Sequence, residues 1–272
     1  MYPYIHIILP SYAVMTLVGT FCVLVVLYFR SIRFKVEFDD YIRLFVIGII
    51  GIFIGSKVLF ILIQVPALLK DFSILKLINT VINSGYVYYG GLLGMLLGIS
   101  VYVSRIKKYE INLVYDMITP GIPLFHAFGR IGCFLTGCCY GRQIEEIILN
   151  DYIYIDRIPT QLIEALFEIL LFSVLIFLDK KGKRKLLSIY MISYSLFRFC
   201  IEFLRGDIER GVFGGVSTSQ WVAMIILSIY LGKTMLRNKK GGGRLNESVL
   251  CRMRNEINGK SKILLSMWNK SI

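Results

Sequence analysis

Apolar residues along this chain gather into seven runs of 17 to 23 residues, separated by stretches bearing charge, proline or glycine. The runs are Pro10–Phe29, Tyr41–Ile63, Val87–Val103, Tyr115–Leu135, Gln161–Leu178, Leu186–Leu204 and Gln220–Leu236. At a helical rise of about 1.5 Å per residue, runs of this length cross a hydrocarbon core of about 30 Å. The pattern predicts an all-α membrane protein of seven transmembrane helices. Residues 1–236 would form the membrane domain and 237–272 a basic tail, with no internal repeat and no separate soluble domain. Between runs two and three, Ala67–Asn83 mixes apolar residues with Lys70, Asp71 and Lys76, and reads either as an interfacial helix or as a connecting loop. Gln143–Pro159 is a second segment between runs, with Tyr152, Tyr154 and the adjacent Glu145 and Glu146.

Composition agrees with the pattern. The 272 residues are 56% hydrophobic and 18% charged, which would leave a soluble protein with too much exposed apolar surface. The net charge of +13 would suggest nucleic acid in a soluble chain. Here the basic residues sort by side: they cluster between runs one and two, three and four, and five and six, and in the tail from Arg237. The positive-inside rule then places the C-terminus in the cytoplasm and the N-terminus outside, without invoking nucleic acid. The start Met1-Tyr2-Pro3-Tyr4 lacks the basic region of a cleavable signal peptide, so the first helix is expected to be retained.

That orientation gives the polar residues inside the runs a common address. Tyr12 opens run one and Tyr88-Tyr89-Gly90-Gly91 opens run three. Arg130 closes run four, Gln161 and Glu164 open run five, and Arg198, Glu202 and Arg205 close run six. All fall in the outer half of the membrane, as the lining of an outward cavity would. Arg198, Glu202 and Arg205 are spaced i, i+4 and i+7, so one helix face is expected to carry all three. Arginine at membrane depth is costly and marks binding or catalysis, and surplus guanidinium beside lipid suits a phosphate ester. His126, one turn before Arg130, reads either as a structural histidine or as a proton carrier. Cys133, Cys138 and Cys139 lack the paired spacing of zinc sites and read as small packing residues, with a disulfide from Cys133 as the other reading.

In Gly129-Arg130-Ile131-Gly132-x-Phe134 with Gly141-Arg142, the chain resembles the prolipoprotein diacylglyceryl transferase family. Pro10-Ser11-Tyr12, Tyr89-Gly90-Gly91-Leu92-x-Gly94, Pro159-Thr160-Gln161-Leu162-x-Glu164 and Tyr194-x-x-x-Arg198-x-x-x-Glu202-x-x-Arg205 extend the resemblance in order. It implies transfer of the diacylglyceryl group of phosphatidylglycerol to the lipobox cysteine of prolipoprotein signal peptides. The setting would be a bacterial plasma membrane, with the active site toward the outer leaflet and no metal or organic cofactor. By match, Arg130 and Arg198 would hold the phosphate, Glu202 would orient Arg198, and Tyr12 and Tyr194 would bond the substrate. Gly90, Gly91, Gly132, Gly141, Arg142, Gln161, Glu164 and Arg205 would complete the substrate site.

Three positions depart from the family pattern. Tyr89 stands where the family commonly has His, Cys133 where it has Asn, and Cys138 where it has Glu. Tyrosine, with an ordinary pKa of about 10, is a poorer base than histidine at neutral pH. Thiol activation therefore depends less on that position, or falls to His126 or a shifted Tyr89. Two further readings remain beside the leading one: a phospholipid-dependent transferase with another acceptor, and a lipid or anion transporter. The second is disfavoured by the gathering of polar residues in one leaflet.

Overall fold

The computed structural model describes residues 4–6, 9–70, 73, 75, 78, 87–149, 152–206 and 212–233. The helices among the described residues include α1 (Ser11–Arg33), α2 (Phe38–Lys70), α3 (Tyr88–Ile106), α4 (Ile111–Ile118), α5 (Gly121–Thr136), α6 (Thr160–Lys180) and α7 (Leu186–Ile201). A 3-10 turn, Glu202–Leu204, follows α7. The described residues fall in two compact units, 1–223 and 224–272. In the first, 218–223 is helical; in the second, 224–233 is helical. The basic tail 237–272 lies outside the described residues.

Among the described residues, five helical segments are long and apolar enough to cross a membrane: Ser11–Arg33, Phe38–Val65, Tyr88–Ile106, Thr160–Lys180 and Leu186–Leu204. Their outer faces carry large apolar side chains such as Leu17, Phe21, Leu97 and Leu166, while arginine and glutamate are buried. That inversion suits a lipid solvent. The fourth expected run is not one helix. It breaks between Ile118 and Gly121, where Pro120 and Pro123 each remove a backbone donor and clash with the preceding turn. The second run extends further than its apolar pattern, because α2 continues through Lys70. The expected all-helical fold also acquires short sheets. The segment after α5 is a hairpin, with β3 (Gln143–Leu149) antiparallel to β4 (Tyr152–Arg157). Two smaller pairs are β1 (Tyr4–His6) with β2 (Leu9–Pro10), and β5 (Val212–Phe213) with β6 (Val216–Ser217).

Glycine sets how α2 and α3 meet. A Cβ on Gly51 would sit 2.6 Å from the carbonyl oxygen of Gly94, and one on Gly55 would run into that of Gly90. Small residues at matched turns let two backbones touch, which is how helices gain packing energy where lipid competes for apolar contact. At one end of the bundle an apolar cluster of Leu27, Phe34, Tyr41, Val103, Val114 and Met117 surrounds a buried ion cluster. Arg30 and Arg33 of α1 both donate to Asp179 of α6, at 2.8 and 2.9 Å. Asp116 of α4 accepts the backbone N–H of Leu186 at 2.7 Å and of Lys185 at 3.2 Å, capping α7. Asp179 stands fifteen residues beyond Glu164 on α6, which is about 22 Å along the axis. The other polar cluster therefore occupies the opposite end.

Candidate active site

Three helices each bring a pair of polar residues one turn apart: His126 and Arg130 on α5, Glu164 and Glu168 on α6, and Arg198 with Glu202 at the end of α7. The i, i+4 spacing keeps each pair on one face. Packing those faces together makes one charge lattice. Glu164 lies between both guanidiniums, with Oε2 2.5 Å from Arg130 Nε and Oε1 accepting from Arg198 Nη1. Arg198 Nη2 reaches Glu202 Oε2 at 2.9 Å and Ser219 Oγ at 3.3 Å. All of these except Ser219 are buried, Glu164 to 1% exposure and Arg130 to 9%. Each guanidinium has five N–H donors, more than one shared carboxylate can accept, so the pair suits a further anion.

The lattice continues through His126. Arg130 Nε donates to His126 Nε2 at 3.2 Å, and His126 Nδ1 stands 2.7 Å from Glu168 Oε1. With Nε2 accepting, the ring proton belongs on Nδ1, facing the carboxylate. His126 is thus tied to the side chains of Arg130 and Glu168. Both of its nitrogens are engaged, so it positions Arg130. Tyr88 stacks on its ring at 4.0 Å between centroids, and Tyr194 meets it edge-on at 5.3 Å. The hydroxyls of Tyr88 and Tyr190 bond to each other. Tyr89 lies 5.8 Å from Tyr194, and its buried hydroxyl faces Ser195.

The other expected site residues divide. Tyr12, about 42% exposed, opens α1 beside Gly132, where a Cβ would come within 3.0 Å of its ring. Gly132 thereby sets the α1–α5 approach. Gly90 and Gly91 face α2 across the glycine seam. Gln161 Nε2 donates to the Cys138 carbonyl at 2.6 Å, and Thr160 Oγ1 to that of Cys139 at 3.1 Å. Gly141 donates its N–H to Ile158 O at 3.0 Å, and Arg142 donates its own to Leu204 O at 2.8 Å. Those two bonds stitch the exit of α5 to the entry of α6 and the end of α7. The Arg142 side chain itself is exposed.

Arg205 does not share a helix face with Arg198 and Glu202. The α-helix ends at Ile201, and Arg205 is extended (φ −78°, ψ 142°) in an antiparallel bridge with Gly141. Its helical spacing in sequence is overridden by that pairing. Glu168 and Ser219 were not singled out by sequence. For Glu168 a signal existed: a carboxylate in the middle of an apolar run, one turn from Glu164.

The cysteine-bearing turn closes this end. Gly137 (φ 78°) ends α5 with its N–H on Phe134 O at 3.2 Å, and the Cys138 N–H reaches Cys133 O at 3.1 Å. This is the Schellman pattern, which glycine makes accessible. Thiol hydrogen bonds from Cys133 and Cys139 pull Cys138 well below the ordinary thiol pKa.

Comparison with known proteins identifies the family. The family model for prolipoprotein diacylglyceryl transferase matches residues 4–235. The phosphatidylglycerol–prolipoprotein diacylglyceryl transferase of Clostridium tetani is 31% identical over 232 residues, covering 81% of this chain and 91% of the relative. The second such transferase of Clostridium perfringens is 33% identical over 237 residues, covering 84% and 90%. That of Helicobacter pylori is 31% identical over 229 residues, covering 76% and 81%. With the five motifs in order and a match over nearly the whole membrane part, this chain belongs to the prolipoprotein diacylglyceryl transferase family.

Proposed function

We propose that this chain transfers the diacylglyceryl group of phosphatidylglycerol to the lipobox cysteine thiol of prolipoproteins, the first step of bacterial lipoprotein maturation. One observation carries the reading: two buried guanidiniums, Arg130 and Arg198, share the single carboxylate of Glu164 inside an apolar helical bundle. In the reaction the acceptor sulfur attacks the glyceryl carbon bearing the phosphate ester. A C–S bond forms, a C–O bond breaks, and the electron pair leaves with glycerol phosphate, a monoester able to take up the thiol proton. Negative charge grows on the departing phosphate. Arginines already held in place stabilise that charge without reorganising.

The roles divide accordingly. Arg130 and Arg198 bind the phosphate, and Glu164 and Glu202 fix the guanidiniums. Glu168 fixes Arg130 through His126. Tyr12, Tyr89 and Tyr194 line the substrate, and Gly141 and Arg142 hold the frame by their backbone bonds. Seven spans, an outer N-terminus and a cytoplasmic C-terminus in the plasma membrane agree with the distribution of basic residues. The Arg30–Asp179 end then lies toward the cytoplasm and the arginine site toward the outer leaflet, where lipid and signal peptides meet it.

The test is purified full-length protein in detergent with labelled phosphatidylglycerol and a lipobox peptide, followed by mass spectrometry. A diacylglyceryl mass gain on the peptide cysteine is expected, and its loss in Arg130→Ala and in Arg198→Ala. Folded protein that never modifies the peptide, under conditions where the Clostridium tetani relative does, overturns the reading.

A further inference from the structure

Cys133, Cys138 and Cys139 are brought together beside the arginine lattice, with all three Sγ atoms within 4.8 Å of one another. Neighbouring residues of an extended chain point to opposite faces, so Cys138 and Cys139 would ordinarily diverge. Two backbone features turn both toward Cys133: the glycine turn at Gly137 and the left-handed conformation of Cys139, φ 59°. A residue with a Cβ rarely adopts that conformation, and it persists where surrounding contacts impose it. Here the contacts are Gln161 and Thr160, which hold the carbonyls of Cys138 and Cys139. All three thiols are free; Cys138 is exposed, and Cys133 and Cys139 are half-buried. The cluster is preassembled and open to solution on one side.

We propose that Cys133, Cys138 and Cys139 bind one thiophilic d10 metal ion, Zn(II) or Cu(I), through three thiolates. Metal–sulfur bonds of about 2.3 Å separate tetrahedral sulfurs by about 3.8 Å, a spacing that fits within the observed limit. Thiolates are the ligands that select these ions over Mg(II) or Ca(II). Binding exchanges three thiol protons for the ion and involves no electron transfer. Three ligands leave zinc a fourth position, while copper(I) is satisfied by three. The ion clips the end of α5, three residues after Arg130, to the turn held by α6. A metal at this cluster departs from the expectation of none in this chain.

Detergent-purified full-length protein, chelator-stripped and reduced, is titrated separately with Co(II) followed by Zn(II), and with Cu(I). The expected result is a thiolate-to-metal absorption band saturating at one equivalent, with the melting temperature rising as metal is added. In the Co(II) arm, displacement by Zn(II) identifies a zinc site; saturation with Cu(I) alone identifies a copper site. Cys138→Ser and Cys139→Ser lose the band and the melting shift, whereas the combined Cys22→Ser, Cys200→Ser and Cys251→Ser variant keeps both. Absence of a band with either metal overturns the proposal, as does binding that survives in Cys138→Ser and Cys139→Ser. So does a Cys133 disulfide found throughout protein isolated with its thiols blocked. None of these readouts depends on transfer activity.

Discussion

Glu164→Gln removes the one negative charge that two buried guanidiniums share. Its carboxylate is about 1% exposed and touches Arg130 and Arg198 from two different helices. A unit charge pair with centres about 4 Å apart is worth about 4 kcal/mol at an effective dielectric of 20. Two such pairs attract by about 8 kcal/mol before desolvation is counted. Removing one partner of a buried pair costs about 3–5 kcal/mol in practice, because the opposite charge stays behind unneutralised. The amide adds to this, since its NH2 faces N–H donors. The substitution should lower the melting temperature of the detergent-solubilised protein by several degrees. Transfer of diacylglyceryl to a lipobox peptide should fall by about a hundredfold or more, as misplacing a transition-state group does. Glu164→Asp keeps the charge but shortens the reach, so it should recover much of the stability and little of the rate. A Glu164→Gln protein with unchanged melting temperature and unchanged kcat/KM would refute the claim that this carboxylate holds the arginines.

Four further outcomes are expected. His126→Gln should lower kcat by about tenfold with an unshifted pH–rate profile, since both ring nitrogens already have side-chain partners; loss of a limb near pH 6–7 would restore it as a proton carrier. Glu168→Gln should reproduce the His126→Gln defect, and the double variant should be no worse than either, measured as a double-mutant cycle on kcat/KM. Gly55→Val places a side chain into the Gly90 carbonyl and should destabilise by about 1–3 kcal/mol or more, read as a fall in melting temperature with reduced folded yield. Asp179→Asn leaves Arg30 buried beside Arg33 at the other end of the bundle and should cost about 3–5 kcal/mol in unfolding, while the arginine site keeps its KM for phosphatidylglycerol.

Hydrophobic periodicity was enough to define the class of this protein. A membrane helix must satisfy its backbone internally and needs about 20 apolar residues, so composition and length alone mark it. Arg130 and Arg198 were legible for the same reason, being charges at a depth where charges are otherwise excluded. The ordered motifs from Tyr12 to Arg205 carried the family. Tertiary packing decided the rest. Sequence spacing put Arg205 on the Arg198 face, but the helix stops at Ile201 because Arg205 bridges to Gly141, a partner 64 positions away. Glu164 could be named, yet its place between arginines from α5 and α7 depends on how three helices meet. Glu168 looked like one more polar residue in an apolar run until His126 arrived at 2.7 Å. Gly90 and Gly91 were assigned to substrate by motif and were found against α2. A glycine serves any close approach, and sequence does not say what approaches. The three cysteines changed meaning most, since only the turn at Gly137 and the left-handed Cys139 bring their sulfurs together. Local pattern determines what the solvent is and where charge is tolerated; which charges meet is a long-range property, fixed only when the helices pack.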